Sequence, residues 1–172
     1  MRWIMSVIDE IFSDGERRPL IVSDDGTIDF WSTLYVTAEL RSDGKQTTIK
    51  KELYSIKLIR TWEHSTGRDL LEEFRRQKLL DKDTIRSIKD FCLLSAKKGS
   101  RKSKKVVNFT RLAKIESPLN TVDKTYQYQR MLGINHYLEF CAWEICKFKP
   151  NASELRDNID KMVILFKSHY PK

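Results

Sequence analysis

The sequence predicts a mainly α-helical chain of about six helices, with a small β-hairpin arm near its N-terminus. Three observations predict it. Apolar residues recur at helical spacing of three and four in several long windows. One short segment instead alternates around an Asp-Gly pair, which tolerates the positive φ of a tight hairpin turn. Hydrophobic residues make up 40% and charged residues 33% of the chain, which suits amphipathic helices with solvated faces around a real core.

In chain order, residues 1–18 are amphipathic, and Trp3, Ile4, Ile8, Ile11 and Phe12 could form one short apolar face. Residues 19–31 read as the hairpin: Leu20 and Val22 alternate with Ile21 and Ser23, Asp25-Gly26 makes the turn, and Ile28 and Phe30 alternate with Thr27 and Asp29. A lone hairpin is marginal in water, so it must pack on something, with Trp31 a candidate anchor. Ser32 can cap a short helix to about Arg41, ended by Asp43-Gly44. A second helix runs from about Thr47 to His64, with Ile49, Leu53, Ile56, Ile59 and Trp62 on one face and Gly67 as terminator. Lys50, Lys51, Lys57 and Arg60 fall mostly outside that stripe.

Asp69 with Glu72 makes a capping-box-like start for a third helix through about Lys78. Asp81 or Asp83 starts a fourth that carries Ile85, Ile88, Phe91 and Cys92. After a basic break and the short apolar run Val106–Phe109, with Pro118 as another irregular point, a long helix spans about Thr121 to Phe148. Ile134, Leu138, Cys141, Ile145 and Phe148 form its apolar repeat. Pro150 interrupts, Asn151 or Ser153 caps, and a last helix runs to about Ser168 with Leu155, Ile159, Met162, Val163 and Phe166 as its core face. The short link between the last two helices predicts an antiparallel pair. The organisation is an arm over residues 1–31 and a helical domain over residues 32–172, carrying a basic loop at 97–105.

The net charge of +8 favours anionic partners, nucleic acid before membrane surface. Lys97, Lys98, Arg101, Lys102, Lys104 and Lys105 supply six of those eight charges within nine residues, so the remaining body is nearly balanced. On a phosphate backbone these six cations would add affinity with little sequence information, and log K would fall by about 5 per unit of log salt on their account. A solvated insertion is the bland reading of the same residues. Cys92, Cys141 and Cys146 match no zinc spacing and sit in apolar helical stretches, as reduced core thiols of a cytosolic protein would. No segment has the about 18 consecutive apolar residues of a membrane span.

Chemistry is sparse. His64, His136 and His169 have no metal-ligand neighbour at helical spacing, Gly44, Gly67 and Gly99 stand apart from any phosphate-binding loop, and no nucleophile elbow is present. No cofactor, metal or small-molecule substrate is expected. Binding chemistry concentrates at two helix starts: Gln46, Thr47, Thr48, Lys50, Lys51 and Tyr54, and Lys124, Thr125, Gln127, Tyr128, Gln129 and Arg130. A helix N-terminus offers N–H groups and a positive dipole end to phosphate, and Gln and Arg can read base edges in a major groove. Solvated helix faces would have the same composition.

Arg18-Pro19-Leu20-Ile21-Val22, the Asp-Gly turn and Leu34-Tyr35-Val36-Thr37-Ala38-Glu39-Leu40-Arg41 resemble the N-terminal region of site-specific integrases of the tyrosine recombinase (phage integrase) family. Thr47-Thr48-Ile49, leading to Ile56-Lys57-Leu58 and Trp62, resembles the second helix of their core-binding domain. Asp69-Leu70-Leu71-Glu72-Glu73-Phe74 resembles the acidic-apolar segment that follows. Arg130-Met131-Leu132 with Tyr137-Leu138-Glu139-Phe140 resembles a later helix, and Met162 to Pro171 the tail toward the catalytic domain.

The resemblance spans roughly residues 18–171. It implies a helical core-binding domain that forms one half of a clamp around duplex DNA, with neighbouring protomers on that DNA as further partners. A separate domain of such proteins carries an Arg, a Lys, a His-x-x-Arg box and a tyrosine nucleophile. Here His136 is followed by Tyr137, Leu138 and Glu139, and Tyr170 lacks that surrounding set. The chain alone is therefore expected to bind DNA without cleaving it, in the cytoplasm at the nucleoid. The alternatives are a small helical DNA-binding regulator or accessory protein of a mobile element, and a protein-interaction module in which the basic loop is irrelevant.

Overall fold

The computed structural model describes residues 5–13, 15–41, 45–94 and 121–172. Among them the protein is mainly helical, with a two-stranded antiparallel N-terminal hairpin. The elements in order are β1 (Met5–Ile11), β2 (Arg17–Ser23), α1 (Phe30–Tyr35) running into a π-helical turn (Val36–Leu40), α2 (Gln46–Thr66), α3 (Leu70–Arg75), α4 (Lys82–Leu93), α5 (Lys124–Cys146) and α6 (Ala152–Ser168). Trp3, Ile4, Asp43-Gly44, the basic loop, Val106–Phe109 and Pro118 lie outside the described residues.

The hairpin sits earlier than the alternation suggests. β1 pairs with β2 in the register Ile8↔Leu20 and Val7↔Ile21. The segment expected to give an apolar helical face is therefore a strand. Asp25-Gly26 does turn the chain, with Gly26 at φ +83 and the Thr27 amide donating to Asp25 Oδ1 at 2.9 Å. Beyond it only one bridge forms, Val22↔Ile28, before α1 begins. Asp29, rather than Ser32, caps that helix: its carboxylate accepts the Ser32 amide at 2.7 Å.

The hairpin packs on α2 and shares the helical core, since Met5 and Ile21 belong to the same buried cluster as the helix residues. α2 buries Ile49, Leu53, Ile56, Ile59 and Trp62, as its spacing predicts, and ends on Gly67 at φ +66. Asp69, Asp81 and Asp123 cap α3, α4 and α5 through the amides of Glu72, Thr84 and Tyr126. α3 ends at Arg75, short of Lys78. The Lys78 amide bonds back to Glu73 O and the Gln77 amide to Phe74 O, and Gln77 takes the left-handed position at φ +61 that glycine usually fills.

α5 is the central helix and touches α1, α2, α3, α4 and α6. Its buried face is wider than the predicted repeat, adding Met131, Tyr137, Phe140, Ala142 and Cys146, while Thr125, Gln129 and His136 stay exposed. Phe148 lies beyond its end and is 88% exposed, so it does not continue that repeat. Gly133 is where α2 crosses closest: a Cβ there would lie 2.7 Å from Ser55 Oγ and 2.8 Å from Ser55 Cβ. Tyr128 meets Tyr170, and Lys124 Nζ reaches Lys172 O, so the start of α5 lies beside the end of α6 and the pair is antiparallel. Cys92, Cys141 and Cys146 are buried free thiols, and burial pushes the first two up to about 12.

One polar feature escapes the helical pattern. The Arg60 guanidinium is buried, 3.0 Å from Glu63 Oε2, 3.5 Å from Asp29 Oδ1, and donating to the Tyr137 hydroxyl at 3.0 Å. Glu63 also accepts the Leu70 amide at 2.7 Å. Burial works against the Arg60 charge, but Tyr137, Glu63 and Asp29 raise its pKa on balance. The same burial raises Glu63, with Arg60 opposing it.

Candidate nucleic-acid interface

The two predicted helix starts fare differently. At the start of α5, Gln127 is buried and its amide donates to Lys89 O at 2.9 Å. Arg130 donates to Cys92 O and Leu94 O, both at 2.7 Å, and lies over the Tyr126 ring. It thereby holds the open carbonyl end of α4. Lys124 bonds to the chain end, and Tyr128 stacks edge-on against Tyr170. Thr125 and Gln129 stay exposed. Gln127 is thus a packing residue and Arg130 a helix-end clamp. Base-edge contact by either would require breaking these bonds, which corrects the sequence reading of this surface.

At the start of α2, two of the six residues also turn to the protein itself. Lys50 Nζ lies 2.6 Å from Asp9 Oδ2 and Gln46 Nε2 donates to Arg17 O at 3.0 Å, so both fasten the helix to the hairpin. Thr47, Thr48, Lys51 and Tyr54 remain exposed, with Tyr54 55% accessible.

Thr47, Lys51 and Tyr54 begin an exposed row that resumes at Thr61 and Ser65 beyond the half-buried Leu58, which packs against the core, at spacings of 4, 3, 4, 3 and 4. It runs about 27 Å along the helix. Every exposed residue of α2 is neutral or basic: Gln46, Thr47, Thr48, Lys51, Tyr54, Thr61, His64, Ser65 and Thr66. The two carboxylates of the helix face inward, Glu52 toward the Tyr35 hydroxyl at 3.4 Å and His136 at 3.9 Å, and Glu63 into the Arg60 network. No acidic residue lies in the first turn of α2 and no side-chain hydrogen bond caps it. The contacts expected on this helix from sequence end at Tyr54. Thr61 and Ser65 were visible in the same periodicity, but only the inward turn of both glutamates makes the face uniform.

At the far end of α2, Arg60, Glu63, His64, Arg68 and Asp69 line a shallow cleft of about 240 Å³. A larger groove of about 500 Å³ lies between the π-helical turn and α5, with Glu39, His136, Glu139, Trp143, Glu144 and Arg156 around it. Among the described residues no group of three or more His, Cys, Asp or Glu could hold a metal ion. No helix among them is long and apolar enough to cross a membrane. Tyr170 is half-buried against Phe166 and Tyr128, and burial pushes its hydroxyl up to about 12. The six basic residues Lys97, Lys98, Arg101, Lys102, Lys104 and Lys105 lie outside the described residues.

No protein-family model matches the chain, and no curated protein or solved structure shows significant similarity to it.

Proposed function

We propose that this chain is a duplex-DNA-binding module, the DNA-clamping portion of a tyrosine-type site-specific recombinase. The observation that carries the DNA reading is the outward face of α2. It is a helix long enough to follow a groove, with Thr, Lys and Tyr side chains in one stripe and both of its carboxylates turned inward. A major groove about 12 Å wide admits one helix, and hydroxyl and lysine side chains serve phosphate and base edges alike. The recombinase part of the reading rests on the resemblance of residues 18–171 to that family. The basic loop supplies sequence-independent affinity in this scheme.

Fluorescence anisotropy on a labelled duplex, titrated with salt, tests it. Lys51→Glu with Tyr54→Ala is expected to weaken duplex binding about tenfold or more. Changing Lys97, Lys98, Arg101 and Lys102 to Gln should lower the salt slope by up to about 4. Absence of duplex binding at low salt, or a Lys51/Tyr54 variant that binds like the parent, overturns the assignment.

A further inference from the structure

The corner where α3 ends beside the α5–α6 turn combines features that the α2 face does not use. Arg75, Arg76 and Lys78 come from the end of α3, and Lys147 and Lys149 from the turn. Their partner carboxylates sit deeper than the cations do. Glu72 pairs with Arg75 at 3.2 Å and Arg76 at 3.1 Å, Glu73 with Lys78 at 3.5 Å, and Glu144 with Lys147 at 2.6 Å. Arg76 and Lys78 keep 75% and 64% of their side chains exposed, against 42% for Glu72 and 17% for Glu73. The surface shown to solvent is therefore cationic. Phe148 stands out of this surface, with Lys147 Nζ 5.0 Å from its ring centroid.

The corner is also held in place. Lys149 Nζ donates to Arg75 O, Asn151 Nδ2 to Gln77 Oε1 at 3.3 Å, and the Lys149 amide to Cys146 O at 3.0 Å. These bonds tie the turn to α3 on one side and to α5 on the other, so the ring is presented from a fixed backbone.

We infer that this corner binds single-stranded nucleic acid, with Phe148 as a stacking platform for an unpaired base and the surrounding Arg and Lys residues on the flanking phosphates. The inference rests on the reading of the chain as a nucleic-acid-binding protein, and adds a second site with a different substrate. A duplex hides its base faces in the stack, whereas an unpaired base offers a π-face to any exposed ring, whatever its sequence. Lys147 lies against the ring, and the Lys149 bond to Arg75 O brings the Arg- and Lys-rich end of α3 to the same turn. A lipid surface fits less well, because interfacial binding needs an apolar face, and here a single exposed ring stands beside Lys147 on a turn bonded to the Arg- and Lys-rich end of α3.

The test uses the full chain and a labelled oligo-dT strand, with a duplex of equal length and phosphatidylserine vesicles beside it. Phe148→Ala and Phe148→Leu should each weaken oligo-dT binding roughly 5- to 150-fold, the span of one base–aromatic stack. Phe148→Tyr should bind within about twofold of the parent, and Phe148→Trp should report stacking as fluorescence quenching. Duplex affinity should be unchanged in all four variants, while Lys51→Glu should lower duplex affinity and leave the Phe148 effect intact. Oligo-dT binding that is insensitive to Phe148→Ala, a Leu variant as good as Phe, or Phe148-dependent binding to vesicles without binding to oligo-dT would each overturn the inference. Loss of duplex binding alone would strike the α2 reading and leave this one standing.

Discussion

Replacing Gly133 by Ala sets two effects of opposite sign against each other. In an isolated helix the change stabilises by about 1 kcal/mol, because Gly is the poorest non-proline helix former. In this protein the added methyl would lie 2.8 Å from Ser55 Cβ, 2.7 Å from Ser55 Oγ and 3.0 Å from Glu52 Oε2. Ser55 is buried and its Cβ is fixed to the α2 backbone, so it cannot swing aside, and α2 and α5 must separate. Overpacking of this kind costs about 1–3 kcal/mol.

The net expectation is a loss of up to about 2 kcal/mol, a melting midpoint lower by up to roughly 8 °C for a chain of this size. Urea unfolding followed by far-UV circular dichroism reads it directly. The sharper test is the same substitution in a Ser55→Gly background, where the obstructing Cβ and Oγ are gone. There Gly133→Ala should become stabilising by about 1 kcal/mol, a reversal of sign within one double-mutant cycle. A Gly133→Ala chain that gains stability with Ser55 in place would refute the close approach of α2 and α5.

Two further outcomes follow from the polar contacts. Arg60→Met removes the cation shared by Glu63 and Asp29 and leaves buried carboxylates unpaired, so unfolding should show a loss of about 3–5 kcal/mol; a loss below 1 kcal/mol would mean that solvent reaches the pair. His136 is raised above its ordinary value, chiefly by the Glu52 carboxylate 3.9 Å away, with Glu139 adding to it and burial and Lys167 opposing. Its stabilising contribution should be complete below pH about 6.5 and fade as pH rises through its folded pKa, a small effect because the imidazole is half exposed. Glu52→Gln should flatten that part of the stability–pH curve, and an unchanged slope would exclude the pair as its source.

The helices were legible wherever apolar spacing had one solution. The five buried apolar residues of α2 and the five buried residues of α6 are those that periodicity selects. β1 was not legible, because Ile8 and Ile11 are exposed while Met5 and Val7 turn toward the core, so its apolar residues mark no single strand face. α5 was legible as a helix but not as the centre, since its buried face is much wider than the single apolar row that spacing selects.

The candidate interface was half legible for a different reason. Gln46, Lys50, Lys124, Gln127 and Arg130 have the chemistry of DNA contacts, and each is engaged by a partner 29 to 48 residues away. Local spacing carries no trace of such partners. Arg60 was misplaced by the same blindness, its partners being Asp29 and Tyr137 as well as its helical neighbour Glu63.

The bridge between Leu94 and Thr121, reinforced by the Val122 amide on Leu93 O at 2.9 Å, brings the end of α4 and the approach to α5 to one place. Leu94 and Thr121 flank residues 95–120, so both ends of that segment are fixed by these contacts. The strongest concentration of positive charge in the chain is carried there. Charge there can be changed by substitution without touching either anchoring residue.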